Sequence, residues 1–412
     1  MKRNLTITFL TALLVVMTGC HKDKPQVHRD IVPITLTDNQ KSLVVSNNAF
    51  GFDIFRTISS SEDPNQNVFI SPLSISLALA MTYNGANGDT RTEMQNTLRF
   101  PDFSADEING YFQKLSTTLT GIDPLVNLGI ANSIWYRQDF SVLPDFLTVN
   151  RIYYNAEVQP LDFNSPASVT TINNWVAKAT NNRITQVIDQ VTPDEVMFLI
   201  NAIYFKGQWT YAFDRNATAD GSFNTASGSQ STLSFMHQQG SFQYAINDSL
   251  QILEMPYGQG NFSMMVLLPV QGHSVSALAN GLTPATWGSL TGNLFTANVN
   301  IAMPKFTFQY ERKLNYDLIA LGMGKAFSAA EADFTKINAA GGLYISFVKH
   351  NSFVEVNEEG TEAAAVTAVG ISLSMSGSDP QFIPFIVDHP FVFAIMETTT
   401  NTNLFIGKVV NL

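Results

Sequence analysis

Residues 358–378 read EEGTEAAAVTAVGISLSMSGS, and between Glu362 and Asp379 there is neither a charge nor a proline. Successive side chains of a strand point to opposite faces. Alternation puts Thr361, Ala363, Ala365, Thr367, Val369, Ile371 and Leu373 on one face, small at its start and larger later. The other face holds Glu362, Ala364, Val366, Ala368, Gly370, Ser372 and Ser374. The first face is fit for burial, and the only charge lies on the second. Gly360 supplies a permissive backbone at the entry point. Ala363–Ala365 favour a helix, but Val366, Thr367, Val369 and Ile371 are β-branched and oppose it. By composition the segment reads as a permanent inner strand, since β-branched residues are enriched there.

The chain around it has 412 residues, 45% hydrophobic and 14% charged. That balance excludes a disordered or fibrous chain and supplies a large core. The net charge is −11, with 23 basic against 34 acidic residues. Nucleic-acid binding needs clustered Lys and Arg to neutralise phosphates, so no nucleic-acid partner is expected. Cys20 is the single cysteine. Any internal disulfide framework and any multi-cysteine zinc site are thereby excluded.

The N-terminus reads as an address. Lys2 and Arg3 precede an apolar run from Leu5 to Met17, and Met17-Thr18-Gly19-Cys20 closes it. The run is short for a permanent membrane helix and has the three-part layout of a secretory signal. It resembles the bacterial lipoprotein signal, in which the thiol after a small residue is lipidated. The expectation is a signal over 1–19, a polar tether over 20–41 and one domain over 42–412. The protein would be exported and held to a membrane surface, periplasmic or extracellular, by lipid on Cys20.

Helical signals come early. Ser46 to Ser59 places Ala49, Phe52, Phe55 and Ile58 on one face. Ser71-Pro72 predicts an N-cap and first helical position for a helix ending near Gly85. Thr90 and Glu93 have the spacing of a capping box opening a third helix, and 172–184 reads as a fourth. Strand signals dominate later. The apolar run 196–205 predicts a strand buried on both faces, followed by strands at 251–256, 262–269, 297–310, 344–356, 383–396 and 403–410. Helices first and strands afterwards predict an α+β fold.

Catalytic patterns are missing from the sequence. There is no G-x-S-x-G, no H-E-x-x-H and no G-x-x-x-x-G-K-[ST]. The six histidines are scattered. Gly258-Gln259-Gly260 lacks the third glycine of a dinucleotide site and reads as a hairpin turn. Neither an enzyme nor a cofactor is expected.

Stretches spread along the whole chain carry a family resemblance. They are Asn67-Val-Phe-Ile-Ser71-Pro-Leu-Ser74-Ile75, Asn201-Ala-Ile-Tyr-Phe205-Lys206-Gly207-Gln-Trp209 and Met303-Pro304-Lys305-Phe306. Val356-Asn-Glu358-Glu359-Gly360-Thr361-Glu362-Ala363-Ala364-Ala365, Asp388-His389-Pro390-Phe391 and Leu404-Phe405-Ile406-Gly407-Lys408-Val409 complete the set. In that order they resemble the serpins, the serine protease inhibitor family. Where the family usually has glycine after a central helix, this chain has Asn182, the next best residue for a left-handed stop.

The resemblance implies three β-sheets, about nine helices and an exposed reactive loop. It implies a suicide-substrate inhibitor whose partner is a target protease held as a covalent acyl-enzyme, the inhibitor itself a monomer. The cut loop then inserts as a new strand of the main sheet. Roughly a dozen ladder hydrogen bonds, plus burial of Val369, Ile371 and Leu373, total on the order of 15 kcal/mol. A protease is itself stable by about 5–15 kcal/mol, so the insertion suffices to deform it.

The resemblance also implies site residues. Gly360, Thr361, Glu362, Ala363, Ala364 and Ala365 form the hinge. A charge or proline at 361, 363 or 365 would slow entry. Ser71, Ser74, Asn201 and His350 match a polar cluster beneath the main sheet. Glu358 and Lys305 match an ion pair at its top, with Trp209 beside them. As an exposed pair it would contribute little stability. The family interval places the scissile bond at Ser374–Met375, with Leu373–Ser374 and Met375–Ser376 as its neighbours. No Lys or Arg occurs between Lys349 and Lys408. Trypsin-like targets need a basic residue, so elastase-, subtilisin- or chymotrypsin-like enzymes fit better, with papain-like cysteine proteases as a further class. The alternative is a non-inhibitory serpin acting as a carrier, for which a bulky or charged hinge would be expected.

Overall fold

The structure is a computed structural model that describes residues 30–192, 195–361 and 381–412. Six of its helices come early: α1 (Asp38–Ser61), α2 (Pro72–Tyr83), α3 (Gly88–Thr97), α4 (Ala105–Leu119), α5 (Pro144–Tyr154) and α6 (Ala167–Ala179). Three short ones follow, α7 (Val275–Gly281), α8 (Pro284–Gly292) and α9 (Asn315–Ala320). The first strands are β1 (Val68–Ile70), β2 (Val126–Arg137), β3 (Glu157–Leu161), β4 (Met197–Gln208), β5 (Ala219–Asn224) and β6 (Gln230–Ile246). Next come β7 (Leu250–Tyr257), β8 (Phe262–Pro269), β9 (Phe295–Pro304), β10 (Phe306–Lys313) and β11 (Lys349–Asn357). The last are β12 (Gly360–Thr361), β13 (Ile383–Ile386), β14 (Phe391–Glu397) and β15 (Thr402–Val409).

Local chemistry explains several helix starts, and α1, α3 and α6 each begin earlier than expected. Ser71 caps α2 by accepting from the Ser74 N–H, and Pro72 takes the first helical position. Thr37 and Gln40 form a capping box, so α1 begins at Asp38. Together with the burial of Ile34 and Leu36, this docks the described end of the expected tether on the body. Thr90 does not open α3, which starts two residues earlier behind Asn87. The Thr90 hydroxyl instead accepts from the Asp333 N–H, and Glu93 from the Lys325 N–H. Both side chains of the apparent box are spent on a distant loop. Helix α6 ends at Ala179, before two left-handed residues, Asn181 and Asn182.

The strands fall into two hydrogen-bonded sheets. The six-stranded sheet has the order β10-β11-β12-β4-β2-β3; the nine-stranded one runs β1-β15-β14-β8-β7-β6-β9-β13, with β5 beside β6. The long β6 belongs to two halves, pairing with β5 and β9 along most of its length and with β7 at its end. The second and third expected sheets are therefore continuous through β6. Two expected strands each prove to be two. Lys305 separates β9 from β10, and Asp388-His389-Pro390 lies between β13 and β14, because proline and its neighbours break the ladder. Where a strand was expected over 344–356, the ladder runs from Lys349 to Asn357.

Helix α2 is buried nearly all round and packs on β4 of one sheet and β15 of the other. A helix apolar on every side belongs in a core, and here it separates the two sheets. Stacked Phe69, Phe393 and Phe405 extend that core, with centroids 5.4 and 5.3 Å from Phe69.

Candidate functional site at the hinge of the six-stranded sheet

Strand β12 has two residues and lies between β11 and β4. Gly360 and Thr361 pair with Asn357 and Val356 on one side and with Gln208 and Gly207 on the other. Both pairings are antiparallel, so β11 and β4 run parallel to each other. Among the described residues these two strands share no ladder of their own. Below β12 a cavity of about 290 Å³ separates them, walled by residues 196–202, by residues 341–351 and by α2.

Glycine is required where the backbones meet. Gly360 has φ +149°, and a Cβ there would sit 1.9 Å from the Gly207 carbonyl oxygen. A Cβ on Gly207 would in turn sit 2.8 Å from the Tyr257 ring and 2.9 Å from Phe205. Thr361 is buried, and its hydroxyl hydrogen-bonds the Tyr257 hydroxyl at 2.6 Å. Tyr257 stacks on Trp209 at 4.3 Å and meets Phe205 edge-on at 5.1 Å.

The turn between β11 and β12 is pinned from the chain beyond β4. The Trp209 indole N–H donates to the Asn357 carbonyl at 2.9 Å, and its backbone N–H to the Glu359 carbonyl at 2.8 Å. The Phe213 N–H donates to the Glu358 carbonyl at 2.9 Å. Glu358 accepts from the Thr218 hydroxyl at 2.9 Å and pairs with Lys305 at 3.0 Å, while Glu359 pairs with Arg215. The Glu358–Lys305 pair is exposed, as expected, only on its lysine side. The Glu358 side chain keeps 8% of its exposure and Lys305 40%. Burial alone would raise the Glu358 carboxyl. Its own backbone N–H, the Lys305 ammonium and the Thr218 hydroxyl overcome this and hold it below the ordinary carboxylate value.

The polar cluster at the lower end is only partly assembled. His350 is buried and accepts from the Ser71 N–H through Nε2 at 3.2 Å. The Ser71 hydroxyl donates to the Leu404 carbonyl at 2.7 Å and accepts from the Ser74 N–H at 3.2 Å. Burial pushes His350 down to about 4, so the ring is neutral, as an accepting Nε2 requires. Asn201 stands on the opposite wall of the cavity, bonded to Asn132 at 2.7 Å. No hydrogen bond joins it to His350, and its buried Oδ1 has no partner among the described residues.

Glu362 and Ala363–Ala365 of the expected hinge, the bond near Ser374–Met375 and Cys20 lie outside the described residues. Tyr257, Thr218, Arg215 and Glu359 were not singled out from the sequence. Nothing local marks Tyr257, and Arg215 stands out there only as a charge in a chain poor in charges. What the site offers chemically is a started strand position, not a nucleophile or a metal cage. Among the described residues no group of three or more His, Cys, Asp or Glu side chains gathers to hold an ion, and no helix is long and apolar enough to cross a membrane.

Two parallel strands are thus held apart by the first two residues of a third, a strand position begun and not continued among the described residues. The chain belongs to the serpin family: residues 45–412 match the family model described as serpin, serine protease inhibitor. It is 32% identical to an uncharacterised serpin-like protein of Thermococcus kodakarensis, over 98% of both chains. It is 33% identical to human leukocyte elastase inhibitor, over 89% of this chain and 99% of that one. Among solved structures it resembles the thermophilic serpin tengpin in its native state, with TM-score 0.82 and 32% identity over 93% of this chain and 96% of that one. Human thyroxine-binding globulin complexed with its ligand is equally similar in fold, at TM-score 0.82 and 30% identity over 90% of this chain and 99% of that one.

Proposed function

We propose that this serpin inhibits serine endopeptidases by suicide-substrate trapping, the cut segment after Thr361 inserting between β11 and β4. The observation that carries this reading is β12 itself. Its register already determines where each following residue would go, because a one-residue slip would reverse every side chain. Continued downward, it would set Ala363 opposite Val354 and Phe205, and Ala365 opposite Ser352 and Ile203. Thr367 would come to lie opposite His350 and Asn201, whose Oδ1 lacks a partner among the described residues. Phe205, Ile203 and Val354 belong to the core between the sheets. The small inward face of the segment would thus meet the core, and Glu362 would turn to the other face, between Lys206 and Glu355. Similarity to thyroxine-binding globulin shows that the fold alone does not choose between trapping and carrying. The small, uncharged inward hinge residues favour trapping.

Target choice follows from the missing basic residues, and the likeness to leukocyte elastase inhibitor supports elastase-like enzymes. The test mixes the chain without its first 20 residues with pancreatic elastase, subtilisin and trypsin and resolves the products on a denaturing gel. A heat-stable band at the summed mass with elastase or subtilisin, and none with trypsin, is expected. Cleavage near 374 with no such band for any enzyme would put the carrier reading ahead. Export and lipid anchoring through Cys20 rest on residues 1–20 alone; palmitate labelling lost in Cys20→Ala tests them.

A further inference from the structure

Tyr257 closes β7 with a fully buried ring. The ring is held by packing alone, flat on Trp209 and edge-on to Phe205. Its hydroxyl is therefore a separable feature. Among the described residues that hydroxyl makes one hydrogen bond, to Thr361 at 2.6 Å, and the Thr361 hydroxyl makes no other. Burial pushes the phenol far above its ordinary value, so it stays a neutral O–H at physiological pH.

We propose that Tyr257 is a positioning residue for the hinge: its hydroxyl latches Thr361 between β11 and β4 and keeps the first step of strand insertion ready in the uncut chain. This inference rests on the trapping reading. Were Thr361 to leave its seat, the Tyr257 hydroxyl would remain enclosed by Trp209 and Phe205 without a partner. An unsatisfied buried hydroxyl biases the hinge toward the seated position by roughly fivefold or more. Insertion competes with deacylation of the bound protease, so a seated hinge starts that race ahead. The latch also sets a side-chain rule at 361. A rule of small and uncharged would rank valine with threonine; the latch requires a hydroxyl.

The test compares the full chain with Tyr257→Phe, Thr361→Val, Thr361→Ser and the Tyr257→Phe/Thr361→Val pair. Three readouts are taken with whichever protease the parent chain traps: inhibitor molecules consumed per protease trapped, the rate of heat-driven self-insertion, and the melting temperature before cleavage. Tyr257→Phe and Thr361→Val are each expected to slow self-insertion by about fivefold and to raise the cleaved-to-trapped ratio correspondingly. The pair should be no worse than either single change, since both remove one bond. Thr361→Ser should fall between the parent and Thr361→Val. A merely structural role would lower the melting temperature and hasten self-insertion instead. Unchanged partition and insertion rate in Tyr257→Phe, or fully additive losses in the pair, would overturn the latch. If the parent forms no covalent band but still self-inserts on heating, the trapping reading fails while the insertion rates still decide the latch. If it does neither, both fail.

Discussion

The carbonyl oxygen of Gly207 occupies the place a side chain at Gly360 would need, 1.9 Å from the ideal Cβ. Residue 360 also holds φ +149°, which L side chains rarely adopt. Gly360→Ala should therefore unseat β12, with strain of about 1–3 kcal/mol. Trapping should fall by roughly tenfold or more while cleavage of the loop continues. The ratio of complex to cleaved chain on a denaturing gel checks this.

Burial of a charge on the inward face should be more damaging. Ala365→Glu would place a carboxylate opposite Ile203 and Ser352 if the register of β12 continues. An unpaired buried charge costs several kcal/mol, so insertion should slow by at least about a hundredfold. The variant is expected to behave as a substrate, and its cleaved form should gain no heat stability. Thr367→Ala should be milder, about fivefold, since it removes one hydroxyl opposite Asn201 and His350. Equal effects from the two variants would argue against the register.

His350 makes stability depend on pH in a defined window. Its folded value, about 4, lies below the ordinary value of 6.5. Below that ordinary value the unfolded chain binds a proton that the folded chain refuses. The contribution is thus complete above pH 6.5, declines as pH falls and levels off once the folded ring also protonates near 4. The total loss is about 3 kcal/mol. Urea unfolding from pH 7.5 to 4 should show this decline in the parent chain and a flatter curve in His350→Gln. Identical curves would remove His350 as the cause.

Specificity should be transferable. Ser374→Arg would supply the basic residue absent between Lys349 and Lys408. It should confer a covalent band with trypsin, which is not expected of the parent chain. Should Met375→Arg confer the band and Ser374→Arg not, the scissile bond lies one residue later.

Much of this site is legible in the sequence because its requirements are local. A strand that must slide into a core needs alternate small residues, no proline and no inward charge, and 361–373 displays that pattern directly. Ser71-Pro72 announces the start of α2 in the same way, because a cap is satisfied within a few residues. The apparent capping box at Thr90 and Glu93 shows the limit. Their side chains turn to the backbone of Asp333 and Lys325, more than 230 residues away, and a distant partner leaves no mark on local spacing. The Glu358–Lys305 pair looked exposed because charge is a surface signal, yet the turn that bears Glu358 is folded under Trp209 and Phe213.

What the sequence carries by itself is which residues after Thr361 would share a face in an extended strand, and that trypsin-like enzymes would find no basic residue between Lys349 and Lys408 to cut after. Both depend only on side-chain type and on the two-residue period of an extended chain. What the tertiary structure decided is where Gly360 and Thr361 are seated. The seat between β11 and β4 joins strands some 150 residues apart, and Tyr257 reaches Thr361 across 104 residues from a hairpin of the other sheet. The position of a hydrogen-bond partner at such separations follows from how the two sheets close on α2, which no single stretch of chain encodes.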